Sequence, residues 1–327
     1  MLCILYVNIV GALLGVAALL IERALPAGWP RRWMWSAIIP VSIFVPGYYR
    51  NHHNWSVIGA LEHQVSQTSL TPVTGARPAL LDPDWWAHTE SYNTAINQFW
   101  LLASAVLIAW GLANAWRVWR IVSLSRRQND RREMHVIDGV PVLVTDATGP
   151  ATVGLVRSRV LVPRWVLALP GVQRQYVLRH EEEHRRAHDG LLLFLTSLPL
   201  ILMPWNLALW WQLRRLCLAV EMDCDNRVVG ALGNPQAYGE LLLKVAEVGS
   251  RGPRLQPAFL GIGMLERRLT QLLAPTQLRN LQRLLVPALA LALLALVVWM
   301  PHPISGHGAR THITPASGAI TTHSSSH

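Results

Sequence analysis

The chain has 327 residues, of which 51% are apolar and only 15% charged, with fifteen tryptophans, a balance that argues against a pair of ordinary soluble domains. Its formal charge of +10 comes almost wholly from arginines beside hydrophobic runs. No zinc-finger or other nucleic-acid-binding signature accompanies them, which argues against direct nucleic-acid binding and for anchoring at a lipid bilayer.

Five uncharged stretches follow in chain order: Met1–Ile21, Trp33–Tyr49, Ser91–Trp116, Gly190–Leu213 and Leu284–Met300. A spanning helix needs about 20 apolar residues. Trp33–Tyr49 and Leu284–Met300 sit near the lower limit, and Pro40 and Pro46 interrupt the former, although membrane helices tolerate proline. The first run has no basic segment before it, unlike a secretory signal. Arg23, Arg31 and Arg32 follow it against Glu22 alone, whereas Arg50–Glu90 carries two arginines against four acids. The region after Trp116 is Arg-rich again, and the tail beyond Met300 holds only Arg310 as a formal charge. Alternating positive and non-positive loops predict four crossings with both termini outside a cytoplasmic membrane. Residues 1–116 are then a three-helix transmembrane region with an external loop at 50–97. Residues 117–283 form a cytoplasmic domain, 284–300 a fourth spanning helix, and 301–327 a disordered external tail.

Within 117–283 the pattern changes. Val136-Ile137, Asp138-Gly139 and Val140–Val144 read as two strands about a tight turn, with a further strand at Arg159–Val162 closed by Pro163. Helical spacing runs from Val172 to His188. Asn234-Pro235 breaks a later helix that begins before Cys217, Tyr238–Val248 starts another, and Leu265–Leu273 is a short amphipathic helix. The predicted fold is mainly α-helical and membrane-embedded, with a small α+β cytoplasmic domain. Cys3, Cys217 and Cys224 are odd in number and form no Cys-x-x-Cys framework, so they read as reduced thiols.

The segment with chemical content is Arg179-His180-Glu181-Glu182-Glu183-His184-Arg185. Residues i and i+4 share a helix face, so His180 and His184 can present two imidazoles to one zinc ion. Glu181 lies where its carboxylate can reach water at such a metal and act as general base, the H-E-x-x-H arrangement of metalloproteases. A hydrolytic zinc site takes three protein ligands and leaves one position open. No histidine sits at metzincin spacing, so a later carboxylate is expected. Glu221 and Asp225 are themselves i and i+4. One of them can ligate zinc while the other orients a ligand histidine, and a salt-bridged helix face remains the competing reading of both. Cys224 reads as a small buried residue rather than a thiolate ligand, His188 as a neighbour of the site or a surface residue, and Arg267-Arg268 as an inner-face anchor rather than a self-cleavage site.

His180-Glu-Glu-Glu-His184 followed by Asp189, an apolar stretch and Glu221-x-x-Cys224-Asp225 resembles the BlaR/MecR-type regulatory membrane metallopeptidases. Gly154 and Pro163 ahead of the zinc helix, and Tyr238 with Leu241-Leu242 after it, agree with that resemblance. It implies a zincin-like domain of gluzincin type, with zinc held by His180, His184 and Glu221, Glu181 catalytic, and Asp225 supporting a ligand. It also implies an antirepressor role. A signal received outside activates an inward-facing protease that cleaves itself or a winged-helix transcription repressor. Only 27 residues follow Met300 and the tail has no Ser-x-x-Lys, so the penicillin-binding sensor of the antibiotic-sensing members is not carried over. Two other readings stay open: a housekeeping HtpX- or CAAX-like membrane protease, and a non-catalytic membrane transducer. One strand ahead of the zinc helix is expected to pair with extended substrate.

Gly190–Leu213 poses a geometric problem. A full crossing there would put Glu221 and the two histidines on opposite sides of the bilayer, which zinc–ligand distances near ~2 Å forbid. Pro204 near its middle, the tryptophans Trp205, Trp210 and Trp211, and Arg214-Arg215 beyond predict a re-entrant or interfacial helical hairpin instead.

Overall fold

The computed structural model describes residues 2–25, 29–52, 90–128, 135–145, 149–249, 263–273 and 280–299. Most of the predicted external loop and all of the tail beyond residue 300 lie outside these residues.

Three helices precede the sheet: α1 (Leu2–Ala24), α2 (Arg31–His52) and α3 (Glu90–Gln128). The strands β1 (His135–Ile137), β2 (Val140–Thr145), β3 (Ala151–Val153) and β4 (Arg159–Pro163) follow. Helices α4 (Arg164–Leu167), α5 (Gly171–Ala187), α6 (Asp189–Leu202), α7 (Leu207–Leu232), α8 (Pro235–Gly249), α9 (Met264–Leu273) and α10 (Asn280–Trp299) complete the described chain.

Two helices among the described residues are long and apolar enough to cross a membrane, Ile4–Ala24 and Thr94–Leu124, where the arginine pattern predicts four. The difference has local causes. Helix α2 opens on Arg31-Arg32, carries Pro40 and Pro46, and closes on Tyr48-Tyr49-Arg50-Asn51-His52, so its apolar stretch is short and interrupted. The apolar part of α10 is only Leu285–Trp299, because Arg283 lies in its first turns. Helix α3 differs in the other direction. It runs on past Trp116 to Gln128, and the residues of its span are not buried against the rest of the chain.

Helices α1, α2, α6 and α7 share one core that includes Ala18, Trp35, Ile39, Leu200, Leu209 and Leu216. Gly15 is required for this packing, since a Cβ there would stand 2.1 Å from Trp211 Cζ3. Several buried polar groups inside the bundle find partners, as burial away from water favours. Arg215 Nη2 meets Glu22 Oε2 at 2.6 Å, and Gln212 Nε2 donates to the Gly11 carbonyl at 2.7 Å.

The sheet has the order β1-β2-β4-β3. β1 and β2 form an antiparallel hairpin whose turn residues Asp138 and Gly139 both have positive φ, matching the right-handed strand twist. β2 and β4 are parallel, with Val142 beside Val160 and Val144 beside Val162, and β3 lies antiparallel to β4 at the edge. Alternate residues face opposite ways. Val142, Val160 and Val162 join Tyr176, Val177, Cys224, Val228 and Tyr238 in one core. Leu143, Val153 and Leu161 pack on Val118, Ile121 and Val122 of α3. The predicted strands appear within a residue or two of their expected bounds, and β3 is an addition.

The hairpin over 190–213 folds back on itself. α6 ends at Leu202, the chain turns through Met203–Asn206, and the Asn206 side chain accepts the Leu209 N–H at 3.1 Å to start α7. α7 then returns alongside α6 and α5, which brings residues 216–228 to the motif helix.

Candidate metal centre

Helix α5 carries the motif, and its two histidines face α7. His180 Nε2 and His184 Nε2 are 3.2 Å apart, with their rings nearly perpendicular. Glu221 on α7 faces both: Oε2 is 3.6 Å from His180 Nε2 and Oε1 is 3.8 Å from His184 Nε2. The turn at His188, in the left-handed region at φ 53°, sets α6 at an angle to α5 and delivers Asp189 to the motif. Asp189 Oδ2 lies 2.8 Å from His184 Nδ1.

The outer nitrogens fix the tautomers. The Tyr238 hydroxyl donates its single hydrogen to Asp225 Oδ1 at 2.7 Å, so its oxygen accepts from His180 Nδ1–H, 3.0 Å away. Asp189 is acceptor-only and takes His184 Nδ1–H in the same way. Both Nε2 atoms therefore keep a lone pair toward Glu221 when the imidazoles are neutral.

This arrangement fits a tetrahedral divalent ion. Zinc–ligand bonds of about 2.0–2.1 Å imply ligand-to-ligand edges of roughly 3.3–3.4 Å; the two Nε2 atoms stand 3.2 Å apart, and Glu221 approaches them at 3.6 and 3.8 Å through different oxygens, Oε2 and Oε1. Cys224 is the competing donor. His180, His184 and Cys224 each have a ligand atom within 4.8 Å of the others. The Cys224 sulfur, however, lies 3.3 Å from His180 Nδ1 and 3.4 Å from the His180 carbonyl, on the outer side of the ring.

Glu181 is buried, and the Thr152 hydroxyl of edge strand β3 bonds its backbone carbonyl at 2.7 Å and lies 3.1 Å from its Oε2. Glu182 and Glu183 face away and pair with Arg185, Arg186, Arg179 and Arg227. Asp225 reaches His180 only through Tyr238, its own oxygen being 3.6 Å from Nδ1. The direct carboxylate–histidine contact belongs to Asp189, a role that the sequence pattern does not reveal. Arg268 is likewise not a surface anchor. It lies inside the site, with Nη1 3.0 Å from Glu221 Oε2 and two nitrogens 2.7 and 2.8 Å from Asp225. Its neighbour Arg267 is exposed and lines a cavity with Arg23 of α1, Arg31 of α2 and Arg214 and Arg215 of α7.

Burial disfavours every charge in this cluster, and the neighbours outweigh it. Burial opposes a proton on His180, but Cys224 and Glu221 hold its pKa up to about 10. His184 is likewise held well above its ordinary value against burial, by Cys224 and Asp189. Glu221 is kept well below the usual carboxylate range because Arg268 and the two imidazoles overcome its burial. The Cys224 thiol is lowered, against burial, by the same imidazoles. Protons on two histidines thus balance the acidic groups, and a divalent cation can take over that role.

The chain matches the family described as BlaR1 peptidase M56 over residues 2–272. It is 21% identical over 253 residues to the regulatory protein BlaR1 of Bacillus licheniformis, an overlap covering 68% of this chain and 41% of that protein. The chain thus spans about two fifths of the length of the curated relative it matches. No solved structure gives a significant match.

Proposed function

Because the chain belongs to the BlaR1 peptidase M56 family, we propose that it is a membrane zinc endopeptidase that works in signal transduction by cleaving itself or a cytoplasmic transcription repressor. His180, His184 and Glu221 hold the metal, and Glu181 is the general base. One observation carries the reading. Two Nε2 atoms 3.2 Å apart, with both Nδ1 atoms already engaged, face one carboxylate whose oxygens lie 3.6 and 3.8 Å from them. Zinc bound there supplies Lewis acidity toward a peptide carbonyl and toward water.

The chain's own residues supply the rest. Glu181 follows the first ligand on α5 and accepts the proton of the attacking water on its carboxylate, then delivers it to the leaving amine. Thr152 holds Glu181 against β3, whose outer edge has no partner strand in the described sheet. An extended substrate segment can add there as a further strand and bring its scissile carbonyl beside Glu181. Arg268 and Tyr238 neutralise and orient the carboxylates behind the metal position. The inner-face arginines and the folded-back α6–α7 pair support a catalytic domain facing the cytoplasm, where a winged-helix repressor is accessible.

Substituting Glu181→Gln in the full chain separates metal binding from chemistry. Zinc should stay near one per chain while cleavage of casein and of the chain itself stops. Proteolysis at the wild-type rate in that variant would remove Glu181 from the mechanism.

A further inference from the structure

The candidate centre is tied by charge to the other end of the chain. Asp189 gives one oxygen to His184 Nδ1 at 2.8 Å, and its second oxygen accepts from Arg32 Nη1 at 2.7 Å. Arg32 is the second residue of α2, 157 positions earlier. Its backbone N–H donates to Asp223 Oδ2 at 2.9 Å, and Asp223 lies on α7 two residues beyond Glu221. The first turn of α2 is therefore held at two points, each on a helix that carries a residue of the site.

Asp189 is 2% exposed, and a carboxylate so buried must be paired to stay charged. Arg32 is not the only cation near it. Arg227 Nη2 stands 3.7 Å from Oδ2, the oxygen that faces His184, and has no hydrogen-bond partner of its own. Arg227 is otherwise engaged through Nε with Glu183 at 2.9 Å. Arg32 in bonding range on the far oxygen keeps Oδ2 aimed at the imidazole. Without Arg32, Arg227 is placed to draw that oxygen off the ring.

We infer that Arg32 is a positioning residue for the metal site: acting through Asp189, it holds the His184 ring in its ligating orientation, so that the seating of α2 controls metal binding. The inference rests on the proposed role of His184 as a ligand. Trp35 and Ile39 of α2 share the buried cluster of Ala18 from α1 and Leu209 and Leu216 from α7. A shift of the N-terminal helices thus reaches His184 through two hydrogen bonds with no loop between. Carboxylates that orient a ligand histidine are worth about 10–100-fold in metal affinity or activity, and Arg32 acts one contact further out through the same atoms.

A double-mutant cycle on the detergent-solubilised full chain tests the coupling. Zinc affinity is read by chelator competition, and the ligand field by the absorption spectrum of the cobalt-substituted protein. Arg32→Ala and Asp189→Asn should each weaken zinc about 10–100-fold and alter the cobalt bands. The double variant should be no worse than Asp189→Asn alone, and Arg32→Lys should recover most of the affinity. If Arg32→Ala does not fold, Arg32→Gln carries the same test, since it keeps the stem and loses the charge. Wild-type zinc affinity and cobalt spectrum in the charge-less variant, or additive losses in the double variant, would overturn the inference while leaving the zinc site standing. A wild-type chain that binds no zinc would overturn both.

Discussion

Arg268→Ala probes the electrostatic design of the centre. Arg268 is 14% exposed and contacts Glu221 at 3.0 Å and Asp225 at 2.7 and 2.8 Å. Removing it strands two carboxylates in a buried cluster. Breaking such a pair costs about 3–5 kcal/mol, which for a domain of this size lowers the midpoint of thermal unfolding by roughly 6–20 °C. Zinc changes the sum. Once the ion neutralises Glu221, only Asp225 has lost its partner, and Tyr238 still donates to it. The loss with zinc should be about half the loss without it, on the order of 2 kcal/mol. Closing the cycle, the folded variant should bind zinc about tenfold or more tightly than wild type, because a competing cation has left Glu221. Thermal unfolding of both proteins, with a chelator and with zinc, gives all four legs. Equal destabilisation in the two conditions, or weaker zinc binding by the variant, would refute the assignment of Glu221 and Arg268 to one competing pair.

Zinc uptake should depend steeply on pH. His180, held up to about 10, and His184, held well above its ordinary value, favour their protonated forms and must give up protons to ligate. Protons therefore compete with the metal, so affinity should rise with pH through the neutral range and toward about 10. Calorimetry in buffers of different ionisation enthalpy should show proton release on binding, and a pH-independent affinity without release would contradict the charge balance described. The topology of the 190–213 segment is open to labelling. On a background without Cys3, Cys217 and Cys224, cysteines placed at Arg186 and Leu232, exposed on either side of the hairpin, should both react from the cytoplasmic face. Reaction from opposite faces would mean that the segment crosses.

The parts of this molecule legible in the sequence are those governed by local rules. Asp138-Gly139 marks its hairpin turn because two consecutive residues must take positive φ. The i, i+4 histidines on α5 announce their shared face, and the need for a third ligand near them was enough to predict that 190–213 folds back. β3 was not legible. It is three residues long, follows Gly149-Pro150, and exists because β4 offers an edge. Arg268 and Asp189 illustrate a second limit. Arg268 reads like its neighbour Arg267, yet one points into the site and the other out, a distinction made only by how α9 packs on α7. Asp189 acquires its role from the left-handed turn at His188 and from Arg32, 157 residues away. Four crossings are predicted and two helices among the described residues are long and apolar enough, because arginine alternation speaks to orientation and not to the apolar length of α2 and α10.

The central claim is the ligand set, and X-ray absorption at the zinc edge of the loaded full chain tests it most directly. Two imidazoles and the Glu221 carboxylate predict only nitrogen and oxygen neighbours, at about 2.0–2.2 Å. Glu221→Ala should lower the zinc content strongly, and Cys224→Ser should leave the spectrum unchanged. A sulfur shell near ~2.3 Å that disappears in Cys224→Ser would contradict the account, making Cys224 rather than Glu221 the third ligand.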